Sequence, residues 1–556
     1  MNAAADPAAG PAAGPLSVGS GQDARATGGA GILPAANLRQ AHPENPSEPE
    51  MAGADPAAGP SSVGSGQNAR ATGGAGILPA ANLRQAPPEA PGEPEMAADP
   101  LVRALYQNRS YPAMSHPLAD PAVAAVAARL GGLTPPHPRH ARILEIGCAS
   151  GHHLLPLARR WPTSHCVGLD LAPQAITAAR ELATAAGIAN ATFHAADLRD
   201  FEPAGEPFDY IIAHGFFSWV PEPVKLALLG FCRRHLAPTG IATISFNLTA
   251  GWVHREPVIA MVQTLQPVTG GDTRATLALL RDTLDPATPH GTHLRWIIDD
   301  MLAKGPEILA FDDFAPVNEP WSFDQFLLAA ATAGLRWLGE SDPAENLPSA
   351  LSEASRAALA PLAASPLHAQ LAADFATGRT FRSGVLCRAD APTQPGLTHA
   401  MLLDFAVRAG PLTPIGTDPL AGRFYQILGG LAPACVPLPT VLAAMPEADP
   451  AAVAERVMDG ITRGFLRPRL EPVAFSSTPP ARPALNPLAL ACARRQLPLV
   501  DIWQVPCAFP PAHYTVLAAM DGSLSVADLA ALAASHCPEL AFTPWLNHLA
   551  GRGFFG

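Results

Sequence analysis

A parallel, doubly wound α/β sheet is the fold the sequence predicts for the central part of this chain. Three observations predict it. From about residue 101, short apolar runs alternate with amphipathic helical stretches. The apolar runs are continuous rather than alternating in polarity, as strands buried on both faces require. The first run ends in a glycine-rich turn that opens a helix, and successive strands separated by helices pair in parallel.

The elements follow in order. Arg142–Ile146 is a short apolar strand, then a glycine turn and a helical run over 152–160. Residues 166–170 read as a second strand and 173–186 as a helix with Pro173 in its first turn. A third strand is expected at 192–195. The stretch 209–213 (DYIIA) is the fourth, unbroken and therefore central. A helix over 222–236 is stopped by Pro238, and 240–245 (GIATIS) is the fifth strand. These elements make 101–252 one unit.

Between Trp252 and Phe314 the rhythm breaks into helices, clearest over 277–284 and 294–304. A helix at 322–333 and strands at 335–338 and 379–388 read as the last elements of the same sheet. That makes 253–320 a helical regulatory or dimerisation insertion and 321–391 the closing part of the sheet, an organisation compatible with a homodimer. After a Pro-rich break near 391–396, region 392–556 reads as winged-helix-like, over 417–470 and again over 509–555.

Residues 1–100 stand apart, with no Phe, Tyr or Trp before Tyr106. The segment 17–41 recurs at 62–86 with one change, Asp23 to Asn68. Two near-identical copies without an apolar face cannot stack into a repeat fold, so a disordered, solvated tail is expected.

Composition excludes several classes. The 556 residues carry 36 basic and 48 acidic side chains, a net charge of −12. All basic residues but Lys225 and Lys304 are arginine. Region 392–556 holds ten Arg against eleven Asp and Glu, so its winged-helix pattern has no basic footprint and no nucleic-acid partner is expected. No apolar run reaches the roughly 18 residues that a membrane span needs. The first residues lack a basic and an apolar region of a secretory signal. The eight cysteines include no C-x-x-C pair, and His152-His153 and Cys232/His235 have no second pair at ligand spacing. Reduced thiols in a cytoplasmic protein without a metal site are expected.

The stretch ILEIGCASGHHLLPL carries the chemistry. An acidic residue near a strand end, then glycines, then a helix is a nucleotide-cofactor loop. Gly147 allows the sharp turn and Gly151 lets the backbone approach a ligand. Asp170 closes the second strand, followed by Leu171, where a carboxylate accepts hydrogen bonds from ribose hydroxyls. Asp197 follows the third strand, and it or the amide of its neighbour Leu198 can receive an adenine. Acids after three consecutive strands, Glu145 first, suit a ligand with a cationic sulfonium and repel a pyrophosphate. S-adenosylmethionine therefore fits better than NAD.

With LEIGCASG, GLDLAPQAI and FDYIIAHGFFSWVPEPV stand Tyr106, Tyr111-Pro112 and His116-Pro117, then SFN, Gly251-Trp252, PVNEPWSFDQFLLAA and RTFRSGVLCR. On these motifs the chain, from about Tyr106 to Ala391, resembles the class I S-adenosylmethionine-dependent methyltransferases that carry a methyltransferase regulatory domain. That family includes protein lysine methyltransferases of the rickettsial outer-membrane-protein type. The chain departs from the family pattern at Ala149, where Gly is usual and where a methyl is tolerated at negative φ. It departs again at His152-His153, where Gly-Asn is usual, and in LTAGW at 248–252, which lacks a proline.

Methyl transfer is an in-line displacement, so the protein mainly aligns nucleophile, methyl and sulfur. His214, at the end of the fourth strand, lies where ligands approach an open sheet and is expected as orienting group or proton acceptor. Phe216, Phe217 and Trp219 follow as pocket walls and Asn247 closes the fifth strand; His214, Trp219 and Asn247 are the catalytic candidates, His214 also a cofactor contact, and Tyr111 and His116 are lid candidates. The fourth strand ends AHGF, not the D/N-P-P-Y/F of base methylation, and only Glu222 follows, not a guanidinium-gripping pair. A protein lysine is the leading acceptor. A small molecule is the second reading, and a methyltransferase fold that binds without turnover is the third.

Overall fold

The computed structural model describes residues 100–106, 109, 111–346, 351–362, 364–394, 399–410 and 418–556. The tail expected over 1–100 lies outside the described residues apart from Pro100.

Seven strands form the main sheet: β1 (Arg142–Ile146), β2 (His165–Asp170), β3 (Ala191–Ala195), β4 (Phe208–Ala213), β5 (Leu236–Asn247), β6 (Leu335–Glu340) and β7 (Phe381–Arg388). Their order is β3-β2-β1-β4-β5-β7-β6. β1 pairs in parallel with both β2 and β4, β2 with β3, and β4 with β5; β7 is antiparallel to β5 and β6. This is a Rossmann-like methyltransferase sheet. β2 and β3 lie on one side of β1, and β4, β5, β7 and β6 on the other. A cleft therefore opens at the carboxyl ends of β1 and β4, where open sheets bind ligands.

Strand identity follows from burial. β1 and β4 are buried along almost their whole length, whereas edge strand β3 keeps only Phe193 inside. The fifth strand begins earlier than expected, because the helix Glu222–His235 passes directly into Leu236. Arg382 of β7 is fully buried, forks onto Asp374 at 2.9 Å, pairs with Glu340 and lies over the Phe323 ring at 3.9 Å.

The helices Glu256–Leu265, Thr273–Thr283, Pro289–Ala303 and Pro306–Phe311 bury a small core of their own around Val262, Leu277 and Met301. The C-terminal region has a second sheet from β8 (Ala406–Ala409), β9 (Val436–Pro437) and β10 (Leu466–Arg469) in the order β10-β8-β9. Helices Pro419–Gly430, Leu438–Ala443 and Pro450–Thr462 fill the intervals. A further helical layer over 487–551 packs on the helices after β1 and β2.

One apolar core runs from Ala119 under the main sheet to Phe554. Its joint is the helix Pro121–Leu130, an alanine-rich segment for which the sequence reading had no element. Its cap Asp120, fully buried, accepts from Ala122 N, from Arg160 at 2.7 Å and from Arg469 at 2.8 Å. Trp161 Nε1 donates to Glu471 at 2.6 Å beside it. The C-terminal region is thus sealed to the sheet by buried charge as well as apolar contact.

Candidate active site

The loop after β1 turns on left-handed residues: Gly147 at φ +75°, Ala149 at +44° and Gly151 at +76°. A Cβ at Gly147 would stand 3.0 Å from the Phe216 ring, and one at Gly151 would stand 3.1 Å from Phe193. Both glycines are required by conformation and by space. Ala149 does not take the negative φ at which a methyl is tolerated. An L-residue here costs about 1–2 kcal/mol. The loop is pinned nonetheless, since Gly147 N and Cys148 N both donate to Leu169 O, at 2.8 and 3.1 Å. Ala149 N donates to Asp170 Oδ2 at 2.8 Å, and Ala172 N to Oδ1 at 2.8 Å. Asp170 therefore ties the loop to the turn after β2, while Leu171 beside it is partly exposed.

Glu145 is buried between Gly168 and Ile212 of the neighbouring strands, and its Oε2 has no hydrogen-bond partner. Burial pushes its carboxyl well above the usual range, and the nearby Asp170 adds to this. Asp197 is held by the guanidiniums of Arg103 and Arg199, with Arg199 Nη2 at 2.8 Å from Oδ2. The Arg199 hydrogen bond leads in holding its pKa below normal. The Leu198 N–H makes no hydrogen bond among the described residues. Three acids thus line the edge formed by β1, β2 and β3.

The segment before the sheet runs across this edge. Arg103 reaches Asp197, Gln174 Nε2 donates to Tyr106 O at 2.6 Å, and the Tyr111 ring meets Phe311 edge-on at 5.3 Å. His116 stacks on His214 at 4.1 Å, and its N–H donates to His153 Nδ1 at 3.2 Å. Of the lid candidates, Tyr111 thus packs on Phe311 and His116 on His214, the residue after β4.

Burial lowers the pKa of His214 to about 3 and of His153 to about 4, and drives His116 well down. All three imidazoles are neutral at neutral pH. His214 Nδ1 is buried without a partner. So weak a base suits the orienting role given to it and not proton acceptance.

Trp219 Nε1 is likewise buried and unpartnered. Asn247 is buried, donates through its backbone N–H to Ser218 Oγ at 2.8 Å, and donates through Nδ2 to Asn318 Oδ1 at 3.0 Å. Asn318 in turn donates to Asp312 O at 2.9 Å. Phe216 lies against the cofactor loop, but Phe217 is fully buried among Phe246, Trp321 and Phe326 and is core, not pocket wall.

Sequence reasoning missed Asp312. It lies at the end of the helix Pro306–Phe311, buried, facing the Tyr111 hydroxyl and close to Tyr106. Burial raises its pKa to about 6 against the opposing pull of Lys304. Its neighbour Asp313 is neutralised by Arg255 at 2.9 Å and Lys304 at 2.5 Å. The adjacent acids of FDDF were the signal the sequence offered; which of them is ion-paired is decided by the fold. Among the described residues no group of three or more His, Cys, Asp or Glu side chains is placed to hold a metal ion.

A family profile described as a methyltransferase domain matches residues 143–240, and one described as a predicted methyltransferase regulatory domain matches 305–388. The uncharacterized protein RP028 of Rickettsia prowazekii is 31% identical over 229 residues, covering 40% of this chain and 92% of its own length. The chain belongs to the S-adenosylmethionine-dependent methyltransferases with a methyltransferase regulatory domain. The uncharacterized protein RP789 of the same organism is 28% identical over 296 residues, 51% of this chain, and the alignment spans only 53% of that relative's length. The solved structure of PKMT2 from Rickettsia typhi in complex with AdoHcy superposes with a TM-score of 0.70 at 20% identity, covering 80% of this chain and 99% of that one. The same fold thus extends through the C-terminal region.

S-adenosylmethionine is the cofactor of this methyltransferase fold, and the residues present fit it. Glu145 Oε2 is a buried polar atom that the protein leaves unpartnered beside the glycine bend, open to a polar group of the ligand.

Proposed function

We propose that the protein transfers a methyl group to lysine side chains of other proteins in the cytoplasm. One observation carries this reading: beside the cofactor loop the cleft offers an acid and aromatic faces, Asp312 with Tyr106, Tyr111 and Phe311. Carboxylate and π faces attract an ammonium and repel a carboxylic-acid acceptor. The resemblance to rickettsial-type protein lysine methyltransferases supports the same choice.

Bound S-adenosylmethionine supplies an electrophilic methyl on a cationic sulfur. In this reading Glu145, Gly147, Ala149 and Gly151 receive the amino-acid end, Asp170 and Leu171 the ribose, and Asp197 and Leu198 the adenine. His214 and Trp219 present N–H donors or lone pairs that orient the acceptor. Asn247 holds the Asn318–Asp312 segment in place. Losing the lysine proton at neutral pH costs about 4–5 kcal/mol from a pKa of about 10.4. Desolvation in the cleft lowers that cost, and Asp312 takes the proton.

Incubation of the full chain with radiolabelled S-adenosylmethionine and cell lysate tests the proposal. Label in protein bands that yields methyl-lysine on hydrolysis supports it; label confined to small solutes overturns it. Absence of any calorimetric binding of the cofactor would overturn turnover altogether.

A further inference from the structure

The C-terminal region reaches the loop after β1 at Cys492, whose Sγ lies 4.0 Å from His152 Nε2, and at Gln504 by way of Ser115. Between the short strands Leu499–Val500 and Pro506–Cys507 the chain makes a tight hairpin. Its turn is closed by Asp501, whose Oδ1 accepts from Trp503 N and Val505 N, both at 2.8 Å. Gln504 at the tip sits at φ +63°, a left-handed conformation uncommon for glutamine, and is completely buried. Asp501 is anchored by Arg552 at 2.8 Å, and Trp503 lies under the Arg408 guanidinium at 4.3 Å. The tip is therefore a rigid mount.

What it mounts is a relay. Ser115 Oγ donates to Gln504 Oε1 at 2.7 Å and stands 3.2 Å from His153 Nδ1. The backbone N–H of His116 donates to the same Nδ1 at 3.2 Å. Nδ1 is thereby an acceptor, which places the imidazole proton on Nε2. Yet His153 Nε2 is buried and makes no well-formed hydrogen bond, although the Ala119 carbonyl lies near the ring, and Gln504 Nε2 is buried with no partner. A buried N–H without an acceptor carries a desolvation penalty that an incoming acceptor removes. His153 lies two residues past Gly151, on the loop that receives the amino-acid end of the cofactor, whose carboxylate is such an acceptor.

We propose that Gln504 is a positioning residue of the cofactor site: through Ser115 and the following His116 N–H it fixes His153 with Nε2–H available to the carboxylate of S-adenosylmethionine. The site is then complete only when the C-terminal hairpin is docked, and anything that lifts the hairpin weakens cofactor binding without touching a residue that contacts the cofactor.

The test uses the full chain and AdoHcy, so it does not depend on the acceptor proposed above. Gln504→Asn keeps a residue that tolerates positive φ but withdraws its reach to Ser115. Calorimetric affinity for AdoHcy is expected to fall on the order of tenfold, the loss of about one oriented hydrogen bond. The urea midpoint without AdoHcy should fall only modestly, by about the Ser115 hydrogen bond and one buried methylene, with the folded baseline kept. In a His153→Leu background, Gln504→Asn should add nothing further, since the residue it acts through is gone. Selective ¹⁵N labelling of histidine should show the Nε2–H tautomer of His153 in the native chain. Undiminished AdoHcy affinity in Gln504→Asn, or an effect that adds fully to that of His153→Leu, would overturn the assignment. If Gln504→Asn does not fold, Ser115→Ala reads the same relay with the same expected and overturning results.

Discussion

The backbone N–H of Ala149 donates to Asp170 Oδ2 at 2.8 Å while Ala149 itself is held at φ +44°. The clamp and the strain coincide: the loop accepts an unfavourable alanine because its amide is tied across to the next strand. Replacing Ala149 by Gly should relieve the left-handed penalty of about 1–2 kcal/mol, less the roughly 0.5–1 kcal/mol of extra chain entropy that glycine loses. A net gain of a few tenths to about 1 kcal/mol in urea unfolding is expected, with AdoHcy affinity equal or tighter. Ala149→Val should destabilise, because a β-branched residue is a true outlier at that φ.

Asp170→Ala removes both the loop clamp and the acceptor proposed for the ribose hydroxyls. Cofactor affinity measured by calorimetry should fall by about 2–3 kcal/mol, the worth of hydrogen bonds to a charged group. Unchanged affinity would take Asp170 out of the site.

Asp312 is raised to about 6 by burial. If its carboxylate takes the acceptor's proton, turnover should rise with pH as Asp312 ionises through that value, a limb that Asp312→Asn should lose along with most of kcat. The pH profile of labelled methyl transfer, at saturating cofactor, reads this; an unaltered limb in the variant would remove Asp312 from proton transfer.

Four buried histidines set an acid limit on stability. Burial lowers His214 to about 3 and His152 and His153 to about 4, and it drives His116 down as well. The unfolded chain protonates each near 6.5, so below that pH it binds protons the folded chain refuses, and stability falls as pH falls. The loss is about 1.4 kcal/mol per imidazole on going from neutral pH to 5.5, and it continues toward pH 4. Urea unfolding at pH 7.5 and 5.5 should differ by several kcal/mol, and His152→Leu should flatten the dependence by about one imidazole's share.

Asp120 is the reverse case. Burial opposes its charge, but Arg469 and Arg160 outweigh burial and hold its pKa well below the usual range. Asp120→Ala leaves two guanidiniums without their acid, and breaking such a buried pair costs about 3–5 kcal/mol. Because Arg469 belongs to the C-terminal region, the variant should loosen that region first, seen as early proteolytic cleavage between 394 and 470.

Period and punctuation alone determined the five parallel strands β1 to β5, while the antiparallel placing of β7 between β5 and β6 was left to the tertiary structure. Apolar runs such as ILEI and DYIIA can be buried on both faces only as strands inside a sheet, and the intervening helices force parallel pairing. The acids Glu145, Asp170 and Asp197 were legible for the same reason, since a residue at a strand's carboxyl end is placed by the strand. Contacts between residues far apart in sequence were left to the tertiary structure. It alone set Ala149 left-handed, because φ depends on what ties the loop across to Asp170. It made Phe217 core while its neighbour Phe216 lines the loop, a difference of facing that no local pattern encodes in an irregular turn. It brought Asp312 to Tyr111 and Gln504 to Ser115, across 201 and 389 positions. Local sequence specifies backbone preference and polarity, whereas burial and charge pairing are properties of surroundings that exist only once the chain has closed on itself.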